Sequence, residues 1–182
     1  MTLLKLPRLL LIAGTGRNSG KTMLACSIID KLRSTRTIVA IKISPHRHNI
    51  EPNGQILFRN NHICILEETE LETGKDSSRM LEAGAKRSFF ISATEDNLLK
   101  AMQQIIKFVS DDAFMICESG GLRKWVEPDL FLMVSRNGLS AEGSTLTDLI
   151  GFEHIWIQYD GQKFDFDIDR IVIQQNFWKT TP

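Results

Sequence analysis

The chain has 182 residues, with 22 lysines and arginines against 22 aspartates and glutamates, so its formal net charge is zero. That length predicts one domain over residues 1–182 with a real core. The even balance argues against a nucleic-acid face and against a polybasic membrane patch. Its three cysteines, Cys26, Cys64 and Cys117, are widely spaced among apolar neighbours. Reduced core residues of a cytoplasmic protein are expected, not a disulfide framework or a zinc site. No apolar run is long enough to span a bilayer, and Pro7 and Arg8 interrupt the N-terminal one, against a cleaved leader.

Residues 9–13 are wholly apolar, as in a strand covered on both faces of a parallel sheet. Directly after them runs Gly14-Thr15-Gly16-Arg17-Asn18-Ser19-Gly20-Lys21-Thr22. From residue 21 to about 33, Leu24, Ala25, Ile28, Ile29 and Leu32 recur at helical spacing. A strand feeding a glycine-rich turn that ends in Gly-Lys-Thr at a helix start is the P-loop, or Walker A, pattern. Its backbone N–H groups and the positive helix end gather round a polyphosphate. Lys21 is expected to neutralise the β- and γ-phosphates, and the Thr22 hydroxyl to hold Mg²⁺. Gly20 leaves room for the phosphate to approach the backbone. The expected nucleotide-binding segment is Gly14, Thr15, Gly16, Arg17, Asn18, Ser19, Gly20, Lys21, Thr22 and Met23. The usual pattern has glycine where Thr15 stands here, between Gly14 and Gly16. The plainer alternative is a tight turn whose Lys21 opposes the helix dipole.

Residues 37–43 predict a second apolar strand, followed by Ser44-Pro45-His46-Arg47-His48 and a polar, mobile loop over 49–61. A strand is expected over 62–67, and Gly74-Lys75-Asp76-Ser77-Ser78 opens a helix that closes at Gly84. Residues 87–92 predict a strand, and 97–109 a helix with Leu98, Met102, Ile105, Ile106 and Val109 on one face. The strand over 113–117 leads into Glu118-Ser119-Gly120-Gly121, and 130–134 and 154–159 are further strands. Phe164-Asp-Phe-Asp-Ile-Asp alternates like a half-exposed strand at an edge or in a hairpin. The whole predicts a three-layer, doubly wound, mostly parallel α/β sheet of P-loop NTPase type, with an antiparallel edge hairpin near the C-terminus. Ligands of such sheets bind beyond the carboxyl ends of the strands, which gathers the glycine-rich loop, Lys42 to His48 and Glu118 to Gly121 on one rim.

Each candidate has a functional and a plain reading. Glu118 could hold Mg²⁺ or orient a water, or be a solvated acid at a strand end. Asp76 could be a second acid near Mg²⁺ or a helix N-cap. Lys42 suits a phosphate or a substrate carboxylate, and also suits a snorkelling strand-end lysine. His46, Arg47 and His48 could hold an anionic substrate, or His46 and His48 a metal, or they could be plain loop residues, and Arg17 could reach the γ-phosphate or face solvent. Trp125, Phe177 and Trp178 belong to the core or to a dimer interface.

Four segments together resemble the B-protein family of molybdopterin-guanine dinucleotide biosynthesis, P-loop NTPases of the SIMIBI class. They are Asn18-Ser19-Gly20-Lys21-Thr22, Ala40-Ile41-Lys42, Gly74-Lys75-Asp76-Ser77 with Glu82-Ala83-Gly84-Ala85, and the strand end at Glu118. The third is the most specific, and the likeness covers residues 8–135. Dethiobiotin synthetases are also similar, with a loop of equal length from Gly-Thr to Gly-Lys-Thr, a lysine after the second strand and a glutamate shortly before Gly-Gly. The chain departs from the molybdopterin-type pattern at Ile43, where histidine is usual, and at Ser119-Gly120-Gly121. The resemblance implies a homodimer that binds Mg²⁺ with ATP or GTP, with Lys21, Lys42 and Glu118 as catalytic residues and Thr22, Asp76 and Glu118 near the metal. The second substrate would be a small acid, or the second partner an enzyme receiving a cofactor. A nucleotide-binding adaptor without turnover is the competing class. No Asn-Lys-x-Asp motif marks guanine.

Overall fold

A computed structural model of the protein describes residues 2–16, 18–45, 54–136 and 147–182. In chain order its elements are β1 (Leu4–Gly14), α1 (Lys21–Leu32), β2 (Ile38–Ser44), β3 (Gln55–Arg59), β4 (Ile63–Glu67), α2 (Asp76–Glu82), β5 (Arg87–Ala93), α3 (Leu98–Ile105), β6 (Phe114–Glu118), β7 (Val126–Arg136), β8 (Ile155–Tyr159), β9 (Ile171–Gln174) and β10 (Phe177–Thr180).

Strands β1 to β8 form one sheet in the order β3-β4-β5-β2-β6-β1-β7-β8. All neighbouring pairs from β5 to β8 are parallel, while β4 runs antiparallel to both β3 and β5. The expected mostly parallel α/β fold is what the structure shows. From β1 the chain moves out to β2 and beyond, returns to β6, and then crosses to β7 on the other side of β1. The order therefore reverses beside β1, where such sheets open a ligand crevice at their carboxyl ends.

Alternation along β1 builds both cores. Leu10 and Ile12 face the layer of α1 and α2, with Leu24, Ile28, Ile29 and Met80, while Leu9, Leu11 and Ala13 face α3, with Ala101, Met102 and Ile105. Helix α2 ends in a Schellman motif: the Ala85 N–H donates to the Met80 carbonyl at 3.2 Å and the Gly84 N–H to the Leu81 carbonyl at 3.0 Å. Gly84 has φ +106°, and a Cβ there would lie 2.3 Å from the Arg33 side chain, so glycine is needed twice over.

Several boundaries differ from expectation. Strand β1 begins at Leu4, ahead of the apolar run. Its pairing with β7 shifts register between Leu6 and Leu10, and pairing with β6 starts only at Leu9. Pro7 falls in that irregularity, so its missing N–H removes no ladder bond. The expected helix over 97–109 is broken into α3 flanked by 3-10 turns at Glu95–Asn97 and Ile106–Phe108. The expected mobile loop over 49–61 contains β3, and its residues 49–53 lie outside those described.

The alternating segment at 164–169 is not a strand. Phe164, Phe166 and Ile168 pack against the α1-side core, and the Asp167 carboxylate caps the 3-10 turn Ile168–Arg170. The hairpin comes later, as a separate sheet of β9 and β10 turning on Gln175 and Asn176 at φ 52° and 64°, the backbone of a two-residue primed turn. It covers the α1 face, where Trp178, 2 % exposed, sets its ring edge-on to Phe114 at 5.7 Å. No helix among the described residues is long and apolar enough to cross a membrane.

Candidate functional site

Strand register decides which side chains meet at the carboxyl rim. Lys42 of β2 and Ile12 of β1 both lie opposite Glu118 of β6. Counting in twos from Ala40 and Ile116, which face α1 and α2, places Lys42 and Glu118 on that same face. The first turns of α1 and α2 end there and deliver Thr22 and Asp76.

These residues form one network. Glu118, only 2 % exposed, accepts a hydrogen bond from the Thr22 hydroxyl on Oε2 at 2.7 Å. Its Oε1 accepts from the Lys42 ammonium, which also reaches Asp76 Oδ2 at 2.7 Å. Glu118 is thus not a solvated strand-end acid, and Lys42 does not snorkel to water. Asp76 is not an N-cap either: Lys75 holds that position without a side-chain cap, and Asp76 is the first residue of α2. Arg79 stands 3.9 Å from its Oδ1.

The charges in this network tune one another. Burial works against the Lys42 ammonium, but Glu118 and Asp76 outweigh it and hold its pKa above the ordinary lysine value. Burial likewise disfavours the Asp76 carboxylate, yet Lys42, the Thr22 hydroxyl and Arg79 together bring its pKa below the ordinary aspartate value. Lys21 goes the other way. Its burial, with Lys42 nearby, outweighs the pull of Glu118 and Asp76 and lowers its pKa.

The glycine-rich turn closes over the start of α1. Gly16, Asn18 and Gly20 all take positive φ, at 129°, 58° and 92°. At Gly20 a Cβ would lie 2.9 Å from the Tyr159 ring, so the turn accepts no side chain on that side. The Lys21 ammonium folds back onto its own loop, donating to the Gly16 carbonyl and to Ser19 Oγ, the latter at 3.0 Å. Thr15, where glycine is usual, ties the turn to β7: its N–H donates to the Val134 carbonyl at 3.0 Å and its hydroxyl oxygen accepts from the Arg136 N–H at 3.4 Å. Met23 is 38 % exposed in the first turn of α1. Arg17, His46, Arg47 and His48 lie outside the described residues.

Three residues beside the loop escaped the sequence reading. The Arg136 guanidinium donates to the Asn18 carbonyl at 3.4 Å. Tyr159, the chain's single tyrosine, packs on Gly20 and donates its hydroxyl to the Gly161 carbonyl at 2.7 Å. Phe164 leans on Tyr159 at 5.0 Å between ring centres. The one available signal was that Arg136 and Tyr159 each close a strand at the ligand-bearing edge of the sheet.

Of the remaining candidates, Cys64 and Cys117 are buried, and Cys26 is half-buried with burial pushing its thiol up to about 11, so none resembles an activated nucleophile. Trp178 belongs to the core, Trp125 packs partly buried against the α3-side core, and Phe177 is 45 % exposed.

The oxygen donors of Thr22, Asp76 and Glu118 suit Mg²⁺, which takes one or two carboxylates and completes its shell with water and substrate phosphates. Among the described residues no group of three or more His, Cys, Asp or Glu could cage a metal alone. No protein-family model matches the chain, and no curated protein or solved structure does.

Proposed function

We propose that this protein binds Mg²⁺ with ATP or GTP at the loop from Gly14 to Met23 and hydrolyses the nucleotide, in the manner of the SIMIBI-class NTPases it resembles. The observation that carries the reading is the Thr22–Glu118–Lys42–Asp76 network directly behind a glycine-rich turn at a helix start. Backbone N–H groups of the turn and the Lys21 ammonium would hold the β- and γ-phosphates. Thr22 can keep its proton on Glu118 and still offer a lone pair to Mg²⁺. Bound Mg²⁺ supplies neutralisation of phosphate charge. Glu118 and Asp76 would help hold the metal, Glu118 would orient the attacking water, and Lys42 would meet the γ-phosphate. The protein would act in the cytoplasm as a homodimer, passing a product or cofactor to a partner enzyme.

One observation favours a second reading. Lys42 stands on the rim with its charge intact, as a dethiobiotin-synthetase-like enzyme needs to hold a small carboxylate substrate for attack on the γ-phosphate.

Titration calorimetry with Mg²⁺·ATP and Mg²⁺·GTP tests the assignment. Binding of at least one is expected, with affinity falling about 100-fold in Lys21→Ala, since a charge-assisted phosphate contact is worth ~2–3 kcal/mol. Silence with both nucleotides, or full affinity in Lys21→Ala, overturns it.

A further inference from the structure

Resting on the nucleotide-binding reading, we propose that Lys42 is a tethered cation that keeps the Asp76–Glu118 pair closed to divalent metal until a polyphosphate draws the ammonium away. Two carboxylates this near each other repel unless a cation lies between them. In the protein that cation is the Lys42 ammonium, within hydrogen-bonding reach of both. Both Glu118 oxygens are already engaged, Oε1 by Lys42 and Oε2 by Thr22. Asp76 commits Oδ2 to Lys42, and its Oδ1 already has Arg79 at 3.9 Å.

A metal arriving alone must therefore displace an ammonium from two carboxylates. It must also pass the Lys21 side chain, which folds back over the same turn onto the Gly16 carbonyl and Ser19 Oγ. A polyphosphate in the glycine-rich turn changes both conditions. It offers the ammonium new oxygens within the swing of a four-carbon stem, and it offers the metal ligands that the protein lacks. Metal and polyphosphate are then coupled: each raises the affinity for the other, and Lys42 is the element that changes partner. A divalent ion free in the cell would not charge the site ahead of nucleotide. Lys42 in this role is a positioning residue, acting through the carboxylates.

The test reads metal binding directly, by water-proton relaxation and electron paramagnetic resonance of Mn²⁺ at pH 8, with inorganic tripolyphosphate as the polyphosphate. Lys42→Met is expected to bind Mn²⁺ alone at least tenfold more tightly than wild type, and Lys42→Met/Glu118→Gln to lose that gain. Tripolyphosphate is expected to tighten Mn²⁺ binding at least tenfold more in wild type than in Lys42→Met. Equal affinity of wild type and Lys42→Met for Mn²⁺ alone overturns the proposal. If both still bind Mg²⁺·ATP or Mg²⁺·GTP, the nucleotide reading stands without it; if neither does, that reading falls instead. Should Lys42→Met not fold, Lys42→Gln takes its place. Wild type alone also decides, because tight Mn²⁺ binding without tripolyphosphate rules the closed pair out.

Discussion

The two ends of β1 are each tied to distant segments through one carboxylate, and the partners differ in kind. At the carboxyl end Glu118 is engaged by side chains, the Thr22 hydroxyl and the Lys42 ammonium. At the amino end Asp129 Oδ2 accepts from two main-chain N–H groups, those of Arg8 at 2.8 Å and Trp178 at 3.1 Å. The Trp178 indole N–H closes that cluster on the Arg8 carbonyl at 3.0 Å. Main-chain donors cannot swing away without moving a strand, so Asp129 clamps the C-terminal hairpin to the irregular turn of β1 and holds Arg8 at φ 64°. A hydroxyl and an ammonium can exchange partners while the backbone stays still. The same carboxylate chemistry fixes architecture at one end and holds exchangeable partners at the other.

The strongest way to break this contrast is to remove the rim carboxylate. Glu118→Ala leaves Lys42 and Lys21 with Asp76 as their nearby carboxylate, and deleting one partner of a buried ion pair costs about 3 kcal/mol or more. We expect a loss of that size in urea-unfolding free energy, together with loss of any nucleotide turnover. A variant that unfolds like wild type would show that the network carries no structural energy, and unchanged turnover would remove Glu118 from the chemistry.

Asp129→Ala attacks the other cluster. Two half-buried N–H groups lose a charged acceptor, which predicts a stability loss of about 2 kcal/mol. Limited proteolysis is expected to release the hairpin first. Nucleotide affinity should stay within twofold, because Asp129 lies at the far end of the sheet from the glycine-rich turn. A matching fall in affinity would mean that the two ends are coupled and the division of roles is wrong.

Much of this was legible because it is local. The run from Leu9 to Ala13 located the carboxyl half of β1, and the helical period after Lys21 located α1, each from a few neighbouring residues. The meeting of Lys42 with Glu118 was visible as a shared rim but not as a contact. Their 76-residue separation is closed by the register between β2 and β6, which no local pattern encodes. The hairpin expected near the C-terminus is present, but residues 164–169 are not part of it: Phe164, Phe166 and Ile168 alternate with aspartates as strand residues do, yet use that period to pack a loop onto the core. The true turn, Gln175-Asn176, lacks the glycine that marks most primed turns and holds its positive φ on two side-chain-bearing residues. Arg136 and Tyr159 were missed because their roles depend on how β7 and β8 end beside the loop, a matter of sheet order.

The smallest expected effect concerns pH, and it sharpens the contrast between titratable and main-chain partners. Asp76 is held below its ordinary value of 3.8, so its contribution to stability is complete above that value and is lost as pH falls through the depressed folded-state value. Lys42 is held above its ordinary 10.5, so its contribution is complete below 10.5 and is lost as pH rises through the raised value. Lys42→Met should therefore abolish the alkaline loss due to this group. It should also shift the acid loss to higher pH, because Asp76 no longer has its principal cation. Asp76 is about a third exposed, so solvent screens the effect and added salt should shrink it further. Asp129→Ala, whose lost partners are N–H groups that do not titrate, should leave the alkaline limb where it is. Urea midpoints from pH 2 to 11 for the three proteins decide the matter. Coincident alkaline limbs in wild type and Lys42→Met would show that the ammonium contributes no pH-dependent stability, and that the rim is held together by something other than exchangeable charge.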